Sequence, residues 1–297
     1  MPLADQGANA YDSGMDFVKY HLRVFLTFAR NSLVRDMTFR ANFLIECAST
    51  LTWTLMDLGL YLLIYRFVQD IAGWGKYEFF IFLATGKFIN AIVQTFFMPN
   101  CEEVSELIRT GGLDFALLRP IDTQFLISLR KIEWSSLAHV FVAIALLVVG
   151  MWHLGQRPEN PVHVTPMLVG LYLLYVGCGI GILYSLMISL AATSIWLGQN
   201  RSLYDFWFYI TNFSRYPMEI YEGPWGLPLR WVCTFMLPVL LVINVPASLM
   251  AQPFASGGTP AVTLFIVVFT LVATVGSLVG SRLIFSAALR SYRSASS

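Results

Sequence analysis

Three ionisable side chains stand inside runs otherwise free of charge. Glu46 and Asp57 lie in FLIECASTLTWTLMDLGLYLLIY, residues 43–65, and Lys87 lies in FFIFLATGKFINAIVQTFFM, residues 79–98. In a membrane helix such a group costs at least a few kcal/mol, so it turns toward the bundle and takes a partner. Asp57 is eight residues from the end of its run, and Lys87 is eight from the start of its own. At 1.5 Å per residue both lie about 12 Å deep. Adjacent antiparallel helices would bring them together, and an Asp57–Lys87 ion pair is expected. It would fix helix register, or take part in gating or substrate contact. Glu46 shares the Asp57 helix but is about 16 Å away, too far for the two to share an ion.

Catalytic and metal-binding patterns are missing from the sequence. There is no HExxH, GxSxG, GxxxxGK[ST] or GxGxxG. His21, His139, His153 and His163 do not pair at metal-ligand spacing, and His139 reads most simply as an interface hydrogen-bonding group. Glu102, Glu103 and Glu106 read as a solvated helix face. Cys47, Cys101, Cys178 and Cys233 form no CxxC, so free thiols are expected. The formal charge of +1 gives no sign of a nucleic-acid partner. No site for a cofactor or metal is expected in this chain. Energised work would need another protein to supply the energy.

One further stretch carries its own design. RTGGLDFALLRPID, residues 109–122, lies between two apolar runs. Gly111 and Gly112 can end a helix begun near Glu102, because glycine accepts the left-handed cap. Leu113, Phe115, Leu117 and Leu118 then form a short apolar face flanked by Arg109, Asp114 and Arg119, and Pro120 closes it. Such an element suits a groove on another protein or the surface of the lipid.

The elements that hold these residues follow from composition. The chain is 57% hydrophobic and 12% charged, against about 25% charged in a soluble domain. Apolar runs near 43–65, 79–98, 136–152, 167–195 and 260–286, charged only at Glu46, Asp57, Lys87 and Arg282, approach the roughly 20 residues that cross a bilayer as a helix. An all-α polytopic membrane protein of one domain is expected, with the loop 99–133 between its second and third spans. Residues 15–41 alternate Phe17, Leu22, Phe25, Leu26, Phe28, Leu33 and Met37 with Lys19, Arg23, Arg30, Arg35 and Arg40. They read as a basic amphipathic helix on the membrane surface or as a basic flank. Residues 229–250 would be the fifth span on hydropathy, yet Pro238 and Pro246 interrupt them. Small-xxx-small spacing at Gly177–Gly181 and Gly276–Gly280 suits close helix packing or a dimer seam.

Lysine and arginine set the orientation. With the N-terminus inside, thirteen basic residues lie on the inner side. Outside are Arg66, Lys76 and Arg157, joined by Arg215 and Arg230 at most. Both termini and the 99–133 loop are therefore expected in the cytoplasm.

LIRTGGLDFALLRPID (107–122), FSRYPMEIYEGPWGLPLRWVCTFMLPVLLVINVPASLM (213–250) and the layout of an amphipathic start with six spans resemble the permease subunits of type-2 ABC exporters. The likeness covers about 15–290 and points to the bacterial inner membrane. It implies that 107–122 holds the coupling helix of an ABC ATPase dimer, where ATP and Mg would bind. Residues 15–41 would be an interfacial helix against lipid near that subunit. A second permease, identical or paralogous, would complete the pathway. The likeness also implies that 203–217 is the fifth span, ending at Tyr216-Pro217, with an outer re-entrant region over 222–258. Pro217, Pro238 and Pro246 would mark its breaks, and Leu237-Pro238 stands where such permeases have Asn-Pro. A secondary transporter with no ATPase partner is the alternative.

Overall fold

The computed structural model describes residues 14–38, 40–119, 121–158, 162, 164–197, 202–251 and 260–292. Pro120, His163, Arg201, Arg293 and the 252–258 part of the re-entrant region lie outside the described residues. Among the described residues the chain is all-α apart from a short hairpin that pairs Asp70–Ile71 with Trp74–Gly75.

Helix α1 (Gly14–Thr38) precedes α2 (Arg40–Ile64). After the hairpin come α3 (Lys76–Phe96), α4 (Met98–Arg109), the short α5 (Gly112–Leu117) and α6 (Thr123–Leu129). A 3₁₀ turn, Trp134–Leu137, leads into α7 (Ala138–Gly155), and α8 (Pro166–Leu197) follows. Then come α9 (Ser202–Asn212), α10 (Gly226–Trp231), α11 (Val239–Ala251) and α12 (Pro260–Ser291). Among the described residues, five helical stretches are long and apolar enough to cross a membrane, or six if α10 and α11 together count as one. α9 spans only eleven residues and passes into a 3₁₀ turn, Phe213–Arg215. It is the shortest of the expected spans, about 16 Å of helix.

The core sits where α3, α8 and α11 meet. α11 is buried along nearly its whole length, which is why 239–251 reads as apolar on all sides. Gly179 of α8 makes that contact possible. A Cβ there would stand 2.7 Å from Val242 O and 3.1 Å from Ile89 Cδ1. Of the two expected small-residue seams, only Gly181 is in close contact, against Thr274, while Gly177, Gly276 and Gly280 face open space. Gly179→Ala is expected to destabilise the fold by about 1–3 kcal/mol, the usual cost of overpacking. A lowered unfolding midpoint of the detergent-solubilised chain would register it.

α10 continues into a π-turn, Val232–Met236, and the chain breaks at Leu237 and Pro238. The two arms meet at 88°. The pair begins and ends at the hairpin end of the bundle. Just before α10, Glu219 accepts a hydrogen bond from Trp74 Nε1 at 3.1 Å. At the far end of α11, Val245 and Leu249 cluster with Leu171 and Tyr175 near the start of α8. The bend lies deeper, where Val239 and Leu240 pack with Ile210 and Leu186.

Pro246 is expected to break this region, and the structure corrects that: α11 continues past it. Proline at 246 has no N–H to give Val242 O, and that same oxygen faces Gly179. The missing hydrogen bond is thus accommodated inside the helix packing and no turn forms. Pro217 stands in extended backbone between α9 and the next turn. There Asn244 Oδ1 accepts from Met218 N at 2.8 Å, and Asn244 Nδ2 donates to Leu240 O at 2.8 Å.

Candidate coupling surface

At the end of the bundle opposite the hairpin, residues 97–137 fold into a compact unit. Pro99 sits in the first turn of α4, a position where its missing N–H costs nothing. α4 buries Met98, Asn100, Cys101 and Val104 and turns its acids outward. Asn100 donates to Phe96 O at 2.8 Å and Lys131 O at 2.7 Å, and accepts from Lys131 N at 2.7 Å. That one amide holds the returning chain beside α4. Glu103 adds an ion pair with Lys131 at 2.7 Å.

Gly111 adopts φ +71° between α4 and α5, a left-handed value that costs a residue with a Cβ. α5 is then attached by Leu113, which is 0% exposed and belongs to the main core with Val104 and Ile127. This corrects the expected role of Leu113 as a contact for a partner. On so short a helix, the side facing α4 and α6 is spent on the chain's own packing. The apolar surface that remains is Phe115 at 71% exposed, Leu118 at 81% and Leu117 at 39%. Arg119 is exposed beside them. A cleft of about 270 Å³ opens between α4, α5 and α6, lined by Leu107, Phe115, Arg119 and Arg130 among others. Arg109 is held in a two-pronged contact by Glu106. Asp114 lies beside Tyr292 just past α12, and burial together with that carboxylate pushes the Tyr292 phenol up.

Asp122 is the residue that sequence reasoning missed. Its carboxylate caps α6 by accepting from Phe125 N at 2.9 Å. It also forms a two-pronged contact with Arg282 of α12. Arg282 Nη1 donates further to Gln124 Oε1 at 2.9 Å, and Gln124 Nε2 donates to Tyr184 OH at 2.9 Å. Burial works to raise the Asp122 pKa, but the Arg282 guanidinium and the backbone N–H groups hold it below the usual carboxylate range. The unit is thereby tied to α8 and α12. Ser105 Oγ adds a bond to Ser194 Oγ at 3.0 Å. α1 lies along the same unit: Ser32 Oγ accepts from Ile132 N at 3.1 Å, and Asp36 accepts from Trp134 N at 3.3 Å.

Within the bundle, Lys87 Nζ is 3.0 Å from Asp57 Oδ2 and 3.5 Å from Thr54 Oγ1. The structure brings this pair together and keeps it apart from Glu46. Glu46 instead lines a polar cleft of about 640 Å³ near the coupling unit, with Asp36, Glu102 and Glu133. Burial, then the neighbouring Glu46 carboxylate, pushes Glu133 up. His139 Nδ1 lies 3.3 Å from Ser136 O, a local contact. Among the described residues, no group of His, Cys, Asp and Glu side chains is arranged to hold a metal ion.

Long apolar helices, a helix pair bent by 88° and a compact unit at one end are the build of a multi-pass membrane protein. The family described as ABC-2 family transporter protein matches residues 51–296, and the chain belongs to it. It is the permease component of an ABC transporter. No curated protein and no solved structure matches it.

Proposed function

We propose that this permease is one half of an export pathway driven by a separate ABC ATPase, and that the 107–122 segment is where the two meet. The exposed side chains of Phe115 and Leu118 carry this reading. They stand on a helix anchored by a buried leucine, beside a cleft, on a unit tied by side-chain bonds to two long helices. The excess of lysine and arginine on that side supports a cytoplasmic location, where an ATPase would be. ATP would favour the closed ATPase dimer, and its differential affinity for that state is what would shift the permease. The coupling unit would carry the shift to α8 through Ser105 and Gln124, and to α12 through Asp122. ATP and Mg belong to the partner. A second permease, identical or paralogous, would complete the pathway in the bacterial inner membrane.

The test is to purify the tagged chain from its native membrane and weigh the intact complex. Paired permease and ATPase subunits, with ATP-dependent movement of solute after reconstitution, are expected. A chain that purifies without any ATPase and moves solute down an ion gradient would overturn the reading in favour of a secondary transporter.

A further inference from the structure

α1 meets the rest of the chain along one side. His21 packs edge-on against Phe125 of α6 with ring centroids 4.9 Å apart. The Phe25 ring centroid lies 6.2 Å from that of Phe96 at the end of α3. Further along, Ser32 and Asp36 accept hydrogen bonds from Ile132 N and Trp134 N, just before α7 begins. Ala29 and Ser32 are buried in this contact. The helix therefore passes the ends of two spanning helices, α3 and α7. A span ends where the hydrocarbon gives way to head groups, so α1 lies at head-group level.

Its other side is open. Leu22, Leu26, Leu33 and Met37 are exposed and succeed one another at spacings of four, seven and four. At 3.6 residues per turn they fall within about 60° of the helix circumference. Exposed Arg23 and Arg30, seven positions apart, lie along the edge of that stripe, and Lys19 extends their row. Neither arginine has a carboxylate partner among the described residues. Asp36 is the one acid between positions 17 and 45, and it is turned inward to Trp134 N. The open side thus carries an apolar stripe and a basic stripe next to each other, with no acid among them. Water covers the first poorly, and hydrocarbon alone would strand the second. Guanidinium forks match phosphate oxygens, and leucines beside them suit the boundary between head groups and acyl chains.

We propose that the outer face of α1 docks anionic phospholipid, with Arg23 and Arg30 on the head groups and the leucine stripe at the acyl boundary. The face does more than rest on a bilayer, because it selects lipid by charge. Each basic residue near an anionic surface enriches such lipid about fivefold, and salt weakens the effect. The surface lies apart from Phe115 and Leu118 and involves no ATPase.

Fluorescence quenching tests it, with the full chain in vesicles that mix phosphatidylcholine and phosphatidylglycerol at one fixed ratio. Cys47→Ala removes the one native thiol that is not buried, and Leu26→Cys carries a bimane. Val34→Cys, also at an exposed position, is a second reporter should the first variant fold poorly. A nitroxide is placed on the acyl chain of one lipid or the other, so the bilayer stays the same and only the quencher changes. Labelled phosphatidylglycerol is expected to quench about fivefold more strongly than labelled phosphatidylcholine. Arg23→Gln with Arg30→Gln, or molar salt, should bring the ratio close to one. A bimane at Val272→Cys, on an exposed position of α12, should give a ratio near one throughout. Equal quenching at position 26 would show a lipid face blind to charge and overturn the proposal. Absence of quenching by either lipid would overturn it too, and would point to a protein partner on this face. So would the same preference at position 272, which would mean a general attraction to the whole chain. No ATPase is present in this measurement, so its failure is read separately from a failure of the coupling reading.

Discussion

Phe115→Asp combined with Leu118→Asp is expected to strip the ATPase from the purified complex and leave the permease folded. Both side chains are already largely exposed, so carboxylates there meet water and cost the isolated chain little. In a docked state the same side chains would be covered. Each large apolar side chain contributes about 1.5–3 kcal/mol when buried. Losing two weakens association by roughly a hundredfold or more, before any charge is desolvated. Co-purification and size-exclusion profiles read the two effects separately. Leu113→Asp makes the contrast. Leu113 is fully buried, so a carboxylate there should unfold the loop and lower the yield of monodisperse protein. Retained ATPase in the Phe115/Leu118 double variant would place the docking surface elsewhere.

The second large effect is expected at the Asp122–Arg282 contact. The two residues are 160 positions apart and join the coupling unit to the last helix. Both are partly exposed, so stability should fall by less than about 1 kcal/mol when either is neutralised. Coupling should suffer far more. Asp122→Asn or Arg282→Gln is expected to let ATP turnover continue while solute moved per ATP falls about fivefold or more, the low end of allosteric coupling energies. Exchanging the two residues, Asp122→Arg with Arg282→Asp, should restore much of the ratio. The pH dependence has a definite sign. A carboxylate whose folded pKa is depressed stabilises above its unfolded value and loses that contribution as pH falls through the folded one. Asp122 is depressed in this way, so the contact is fully formed at neutral pH and weakens only in acid. Unchanged coupling in both single variants would remove this contact from the transmission path.

Much of the architecture was legible because lipid imposes strict rules. Long apolar runs and a glycine able to take positive φ are local features. Counting residues back from the helix ends puts Asp57 and Lys87 at one depth, and the structure has them 3.0 Å apart. What was not legible depends on three-dimensional neighbours. The face α5 presents is fixed by what α4 and α6 leave uncovered, so its sequence alone could not separate Leu113 from Phe115. Nothing near Asp122 in sequence announces Arg282. Asn244 carried a usable signal. It is a lone amide in VLLVINVPASLM, and a polar group there must find partners, as it does at Met218 N and Leu240 O. Pro246 misled because proline usually ends a helix, and the room beside Gly179 lies on another helix.

The returning pair α10–α11 has a consequence for how the protein is made. Its second arm is as apolar as a true crossing, yet the pair begins and ends at one end of the bundle. Insertion machinery that sorts segments by hydrophobicity would tend to thread it through the bilayer, and that would invert the polarity of α12. The groove that draws it back is built by α3 and α8, both made earlier in synthesis. Biogenesis is therefore expected to depend on order, with those two helices docked before 229–250 leaves the ribosome. Variants that loosen their contact, such as a methyl group at 179, are expected to yield chains of mixed topology.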